Sequence, residues 1–136
     1  MDFTDYFKIF IAGFTFPSLL FPFVAWFLAA NEGIALLQYL PLYMLGIFWG
    51  IWNVLYFLLV KPHIDHVPNT KMVFGLHGVM LGLILYLLGT LVFDIPTLLG
   101  IPSWFAYVMI IIVPFLYYLL WCYLVAWINT LFDYQV

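Results

Sequence analysis

Arginine is absent from this chain of 136 residues, and Lys8, Lys61 and Lys71 are its only permanently basic side chains. With a formal net charge of −3 there is no basic patch to displace the counterions of a phosphate backbone, which excludes nucleic acid as a partner. Lys61 and Lys71 also fall short of a polybasic cluster for anionic lipid. Charge of either sign is scarce at 7% of residues, where a soluble domain carries about a quarter. So few charges cannot hydrate a globule of this size, and most of the surface must face lipid. Cysteine is limited to Cys122, which excludes an intramolecular disulfide and a C-x-x-C redox pair. Serine is limited to Ser18 and Ser103, with no G-x-S-x-G, so nucleophilic catalysis has no support and no catalytic residue is assigned. No carboxylate, lysine or arginine lies in the middle of an apolar run, which argues against an ion-coupled pump.

What the chain has is apolar length. Hydrophobic residues make up 68% and aromatic residues 23% of the sequence. A helix needs about 20 apolar residues to cross about 30 Å of hydrocarbon. Segments at about 9–30, 39–60, 72–93 and 103–128 meet this requirement. They are separated by NEGIALLQ, KPHIDHVPNTK and DIPTLLGIPS, which bring charge, Gly or Pro to each break. Spanning strands are disfavoured because the runs lack apolar/polar alternation. The first segment reads as a retained helix rather than a signal peptide. It is long, contains Pro17 and Pro22, and is followed by no A-x-A site.

Short connections make consecutive helices antiparallel neighbours. The expected fold is therefore an all-α polytopic membrane protein, a single membrane domain over residues 1–136 built as a four-transmembrane-helix antiparallel bundle. All three lysines fall before the first span or around the second connection, whereas Glu32 and Asp94 mark the other two connections. The positive-inside rule then puts both termini and the histidine loop in the cytoplasm. Small size without a soluble appendage suggests a multi-pass protein of a bacterial inner membrane.

Three features inside this frame are candidates for function. Gly46, Gly50 and Asn53 share one helical stripe of the second span. Gly75, Gly78, Gly82, Tyr86 and Gly89 form a longer seam on the third. Such stripes let another helix approach closely, and an Asn amide can bond across the contact. The partner is either within the chain or another copy. A second candidate is a solute path along Pro17, Ser18, Pro22, Asn53 and Pro114, because prolines free helical carbonyls and break spans. The third is VKPHIDHVPNTKMVFGLH at residues 60–77, which holds every histidine. His63, Asp65, His66 and His77 are the right types for Zn²⁺ or another divalent ion. Their spacing matches no zinc signature, and Asn69 or Thr70 reads as a helix cap in an ordinary turn. Haem has weaker support still, because only His77 lies within a span.

The expected function is non-enzymatic: a small integral membrane protein that serves as a binding or assembly subunit, homo-oligomeric or part of a larger membrane complex. Its partners are the lipid bilayer and copies of itself or other membrane subunits, and it needs no cofactor. The alternatives are a channel or transporter for a small neutral or lipid-like solute, and a metal-binding membrane enzyme or carrier that uses the histidine cluster.

Overall fold

A computed structural model describes residues 1–32, 40–64, 66–98 and 100–136. The described residues are helical almost throughout and include no strand. Helix α1 covers Phe3–Glu32 and α2 covers Leu40–Leu55. The second helix continues through a π-helical turn at Tyr56–Val60 and a 3-10 turn at Lys61–His63. Helix α3 is Thr70–Leu91 and α4 is a single turn at Ile95–Leu98. Helix α5, Ser103–Leu119, passes through a π-helical stretch at Leu120–Val125 into α6 at Ala126–Leu131.

Four helical stretches of 25, 20, 22 and 29 residues are long and apolar enough to cross a membrane: Phe3–Phe27, Met44–His63, Thr70–Leu91 and Ser103–Leu131. At 1.5 Å per residue even the shortest spans about 30 Å. The chain is an all-α, multi-pass integral membrane protein.

The helix ends differ from the sequence expectation in instructive ways. Helix α1 begins at Phe3 rather than near residue 9 because two carboxylates cap it reciprocally. The Asp5 N–H donates to Asp2 Oδ1 at 2.9 Å, and the Asp2 N–H donates to Asp5 Oδ2 at 2.8 Å. This is a capping box built from two Asp residues, placed where the helix dipole favours negative charge. Helix α3 is capped by Asn69, whose Oδ1 accepts from the Met72 N–H at 3.1 Å. The last helix runs to Leu131 rather than to about 128 and ends in a Schellman motif. There the Tyr134 N–H reaches the Asn129 carbonyl and the Asp133 N–H reaches the Thr130 carbonyl. Asp133 takes the left-handed conformation this requires, with φ at 67°.

The chain divides into two compact units. The first contains residues 1–65 and 127–135, and the second contains residues 66–126 with Val136. In the first, α1 and α2 form an antiparallel hairpin: Phe10 lies against Gly50, Gly13 against Trp49 and Ser18 against Gly46. In the second, α3 packs antiparallel on α5 and its π-helical continuation. Gly75 meets Tyr118 and Cys122, Gly78 meets Trp121, and Gly82 meets Tyr117. Each π-helical stretch widens the helix and turns neighbouring residues inward together. Tyr56 and Phe57 are both buried in the first stretch, and Trp121 and Cys122 are both buried in the second.

Candidate functional site

The histidine loop is the most chemically suggestive stretch of the sequence. His63 sits in the 3-10 turn, and its Nδ1 lies 2.9 Å from the Leu59 carbonyl. With Nδ1 protonated, the ring donates to a carbonyl in the last turns of the second span. His66 is exposed. His77, in the second turn of α3, sets its ring edge-on to Trp121 with centroids 5.8 Å apart. Asp65 lies outside the described residues. Among the described residues, no group of three or more His, Cys, Asp or Glu side chains is placed to hold a metal ion.

The first unit contains a polar cluster inside its apolar helices. Asn53 on α2 and Asn129 on α6 are both fully buried, with no exposed surface. Their amides pair reciprocally: Asn53 Nδ2 donates to Asn129 Oδ1 at 3.0 Å, and Asn129 Nδ2 donates to Asn53 Oδ1 at 3.1 Å. The second hydrogen on Asn53 Nδ2 reaches the Ile9 carbonyl of α1 at 2.7 Å. Both hydrogens and the oxygen of Asn53 are thus engaged by protein groups, as a buried amide requires.

Close approach of α1 and α2 makes the Ile9 contact reachable, and glycines permit that approach. A Cβ on Gly13 would lie 2.6 Å from the Trp49 carbonyl oxygen and 2.8 Å from Asn53 Cβ. A Cβ on Gly50 would lie 2.6 Å from the Phe10 ring, and one on Gly46 would overlap Ser18 Oγ. Gly46, Gly50 and Asn53 therefore all face α1 of the same chain.

Below this cluster, residues 127–135 make a second polar contact with the first hairpin. Tyr134 Oη donates to Asp5 Oδ1 at 2.6 Å, the other oxygen of the capping carboxylate being used by Asp2. The Tyr134 ring also meets Phe57 edge-on at 5.9 Å. Donation to a carboxylate stabilises the protonated phenol and pushes Tyr134 up to about 12.

The second unit is built on aromatic rings seated over glycines. A Cβ on Gly78 would fall 2.3 Å from Trp121 Cγ, and one on Gly82 would fall 2.7 Å from Tyr117 Cγ. At Gly75 a Cβ would approach Cys122 Sγ to 2.3 Å and Tyr118 Cε2 to 2.6 Å. Phe74 packs on the Trp121 ring with centroids 4.9 Å apart. One step along the same seam, Tyr86 Oη donates to the Ala106 carbonyl. Gly89 is the exception, since a Cβ there would meet only Ile95 Cδ1, at 3.4 Å.

Of the candidate path residues, Pro17, Ser18, Pro22 and Asn53 belong to the first unit and Pro114 to the second. Pro17 and Pro114 are buried. Pro17 and Pro22 carry no N–H, so the Gly13 and Ser18 carbonyls lose their usual helical donors. Ser18 Oγ is buried without a hydrogen-bond partner.

Asn129, Gly13, Asp5 and Tyr134 were not among the residues singled out from sequence. The signal for Asn129 was present: an amide one residue beyond an assumed helix end at 128. Gly13 also carried one, standing four residues before Pro17 on the same face of α1. No protein-family model, no curated protein and no solved structure matches this chain.

Proposed function

We propose that this small integral membrane protein is a binding or assembly subunit of the bilayer, homo-oligomeric or part of a larger membrane complex, and that it acts through its outer apolar faces. One observation carries the reading. Two polar side chains of the spans are turned toward partners in the same chain: Asn53 to Ile9 and Asn129, and Tyr86 to Ala106. Thr15 and Thr90 bond the carbonyls of Ile11 and Tyr86 in their own helices. What remains outward is apolar and aromatic, including Phe23, Trp26 and Phe27 on α1 and Tyr107, Ile111 and Phe115 on α5. Such faces suit lipid and other membrane helices.

The orientation that accompanies this proposal has both termini and the loop at residues 61–69 in the cytoplasm of a bacterial inner membrane. Its support is the distribution of the lysines. Thiol labelling of single cysteines introduced at His66 and Ser103, in intact cells, tests it.

Native mass spectrometry of untagged protein released in mild detergent tests the assembly reading. A homo-oligomer or a co-purifying membrane subunit supports it, and a partner-free monomer at all concentrations overturns it. One observation favours a second reading, a channel or transporter for a small neutral or lipid-like solute: the buried, unpartnered hydroxyl of Ser18 between two prolines. Absence of solute flux in liposomes would remove this reading, and flux that Ser18→Ala leaves unchanged would remove Ser18 from the path.

A further inference from the structure

We infer that the buried amide pair Asn53–Asn129 is a registry lock, which fixes where residues 127–135 dock along the first hairpin rather than supplying the stability of that docking. Water is absent between membrane helices, and lipid tails solvate an apolar face as well as another helix does. An apolar helix placed against an apolar hairpin therefore gains little from one depth over the next. The choice must come from directional contacts. In the first unit such contacts join residues 127–135 to the hairpin. Asn53 and Asn129 satisfy each other in both directions, at 3.0 and 3.1 Å. The remaining Asn53 hydrogen reaches the Ile9 carbonyl at 2.7 Å, which ties the pair to α1 as well as α2. Gly13 opens the space that allows this bond, since a Cβ there would press on Asn53 Cβ.

A slip of one helical turn moves Asn129 by about 5.4 Å, well beyond hydrogen-bond reach of Asn53. Both amides would then be buried without their partners. The same slip separates Tyr134 from Asp5, the second directional contact. The Schellman turn at Asp133 makes the two contacts one device, because it sets Tyr134 at a fixed offset from the Asn129 carbonyl. Reciprocal amide pairs in apolar surroundings have a known use of this kind: a single buried Asn specifies register in helical assemblies at some cost in stability.

The test uses the full chain with Cys122→Ser as background. Asp5→Cys combined with Tyr134→Cys reports the native register under a short bismaleimide, and Asp5→Cys combined with Leu131→Cys reports a one-turn slip. These substitutions remove the Asp5–Tyr134 contact and leave the amide pair as the register-setting element. With Asn53 and Asn129 intact, the native pair cross-links in strong preference to the slipped pair. Two apolar versions of the lock, Asn53→Ala/Asn129→Leu and Asn53→Leu/Asn129→Ala, hold the combined side-chain volume near the original. At least one of them is expected to keep its helical circular dichroism and thermal midpoint while losing the cross-linking preference. A double variant that folds and retains the preference overturns the inference. Loss of the helical fold in both overturns it too, because the pair would then be a source of stability and not of register.

Discussion

Gly13→Ala is the sharpest perturbation of the first hairpin, because the atom it meets cannot move aside. The new Cβ would sit 2.6 Å from the Trp49 carbonyl oxygen, a backbone atom in the middle of α2. Restoring ordinary contact requires α1 and α2 to separate by about 0.8 Å at this level, since interior packing leaves no slack. The Asn53 Nδ2 to Ile9 contact, now 2.7 Å, would lengthen to about 3.5 Å, past the range of a good hydrogen bond. Overpacking costs about 1–3 kcal/mol, and the weakened bond adds about 1 kcal/mol. Ala gains up to about 1 kcal/mol over Gly in helix propensity. The net is a destabilisation of about 1–3 kcal/mol. Gly89→Ala is the matched control, because its Cβ would have one neighbour, at 3.4 Å, and should be neutral or slightly stabilising. Reversible unfolding by SDS in mixed micelles, followed by circular dichroism, measures both. The reasoning is refuted if Gly13→Ala is as stable as the parent, or if the two substitutions cost the same.

Tyr86→Phe removes the bond to the Ala106 carbonyl and should cost about 1 kcal/mol in the same unfolding assay, and an unchanged midpoint would show that the contact contributes nothing. Asp133 holds a left-handed φ of 67° at a helix C-terminus, where its charge also opposes the dipole. Asp133→Gly should therefore stabilise the chain, by about 0.5–1 kcal/mol, and a lower midpoint would contradict this. Tyr134 keeps its proton to about pH 12 in the folded chain, whereas an unfolded Tyr loses it near pH 10. Its contribution is thus fully present below about pH 10 and is lost as pH rises through about 12. Tyr134→Phe should be missing that part of the alkaline loss, and parallel pH profiles for the two proteins would refute the assignment.

The spans were legible because lipid imposes a coarse and unambiguous demand: about 20 apolar residues with charge only at the ends. Helix ends were less legible, since they depend on local bonds that composition does not encode. Asp2 and Asp5 stand three apart, the spacing a reciprocal cap needs, but two acidic residues near a chain start carry no sign of it in composition. Placing the last helix end at 128 put Asn129 just outside the membrane segment, and so the amide that pairs with Asn53 went unnoticed. The glycine stripes on α2 and α3 were visible as stripes, but their partners were not. Which helix fills a notch depends on the rotation of both helices about their axes, and long-range contacts set that rotation. The histidine loop shows the same limit. Residue types suggested ligands, whereas the contact the His63 ring makes is with the Leu59 carbonyl, four residues back.

The two hairpins meet one physical demand with different chemistry, and the difference has consequences. In the second unit the glycines of α3 accept rings of Trp121, Tyr117 and Tyr118, so the contact is one of shape and dispersion. Such a contact tolerates small rotations as long as the notch stays filled, and it should weaken gradually as ring size falls. In the first unit the glycines bring backbone within reach of a buried amide, and the contact is directional. An Asn53 that loses its partners leaves donors and an acceptor with no water to turn to, so the penalty is a step and not a slope. The buried amide thus adds direction to the glycine packing of the first unit, whereas rings seated on Gly75, Gly78 and Gly82 supply packing in the second. Substitutions should sort accordingly: changes at Asn53 and Asn129 alter which arrangement forms, whereas changes at Gly13, Gly75, Gly78 and Gly82 alter how tightly it holds.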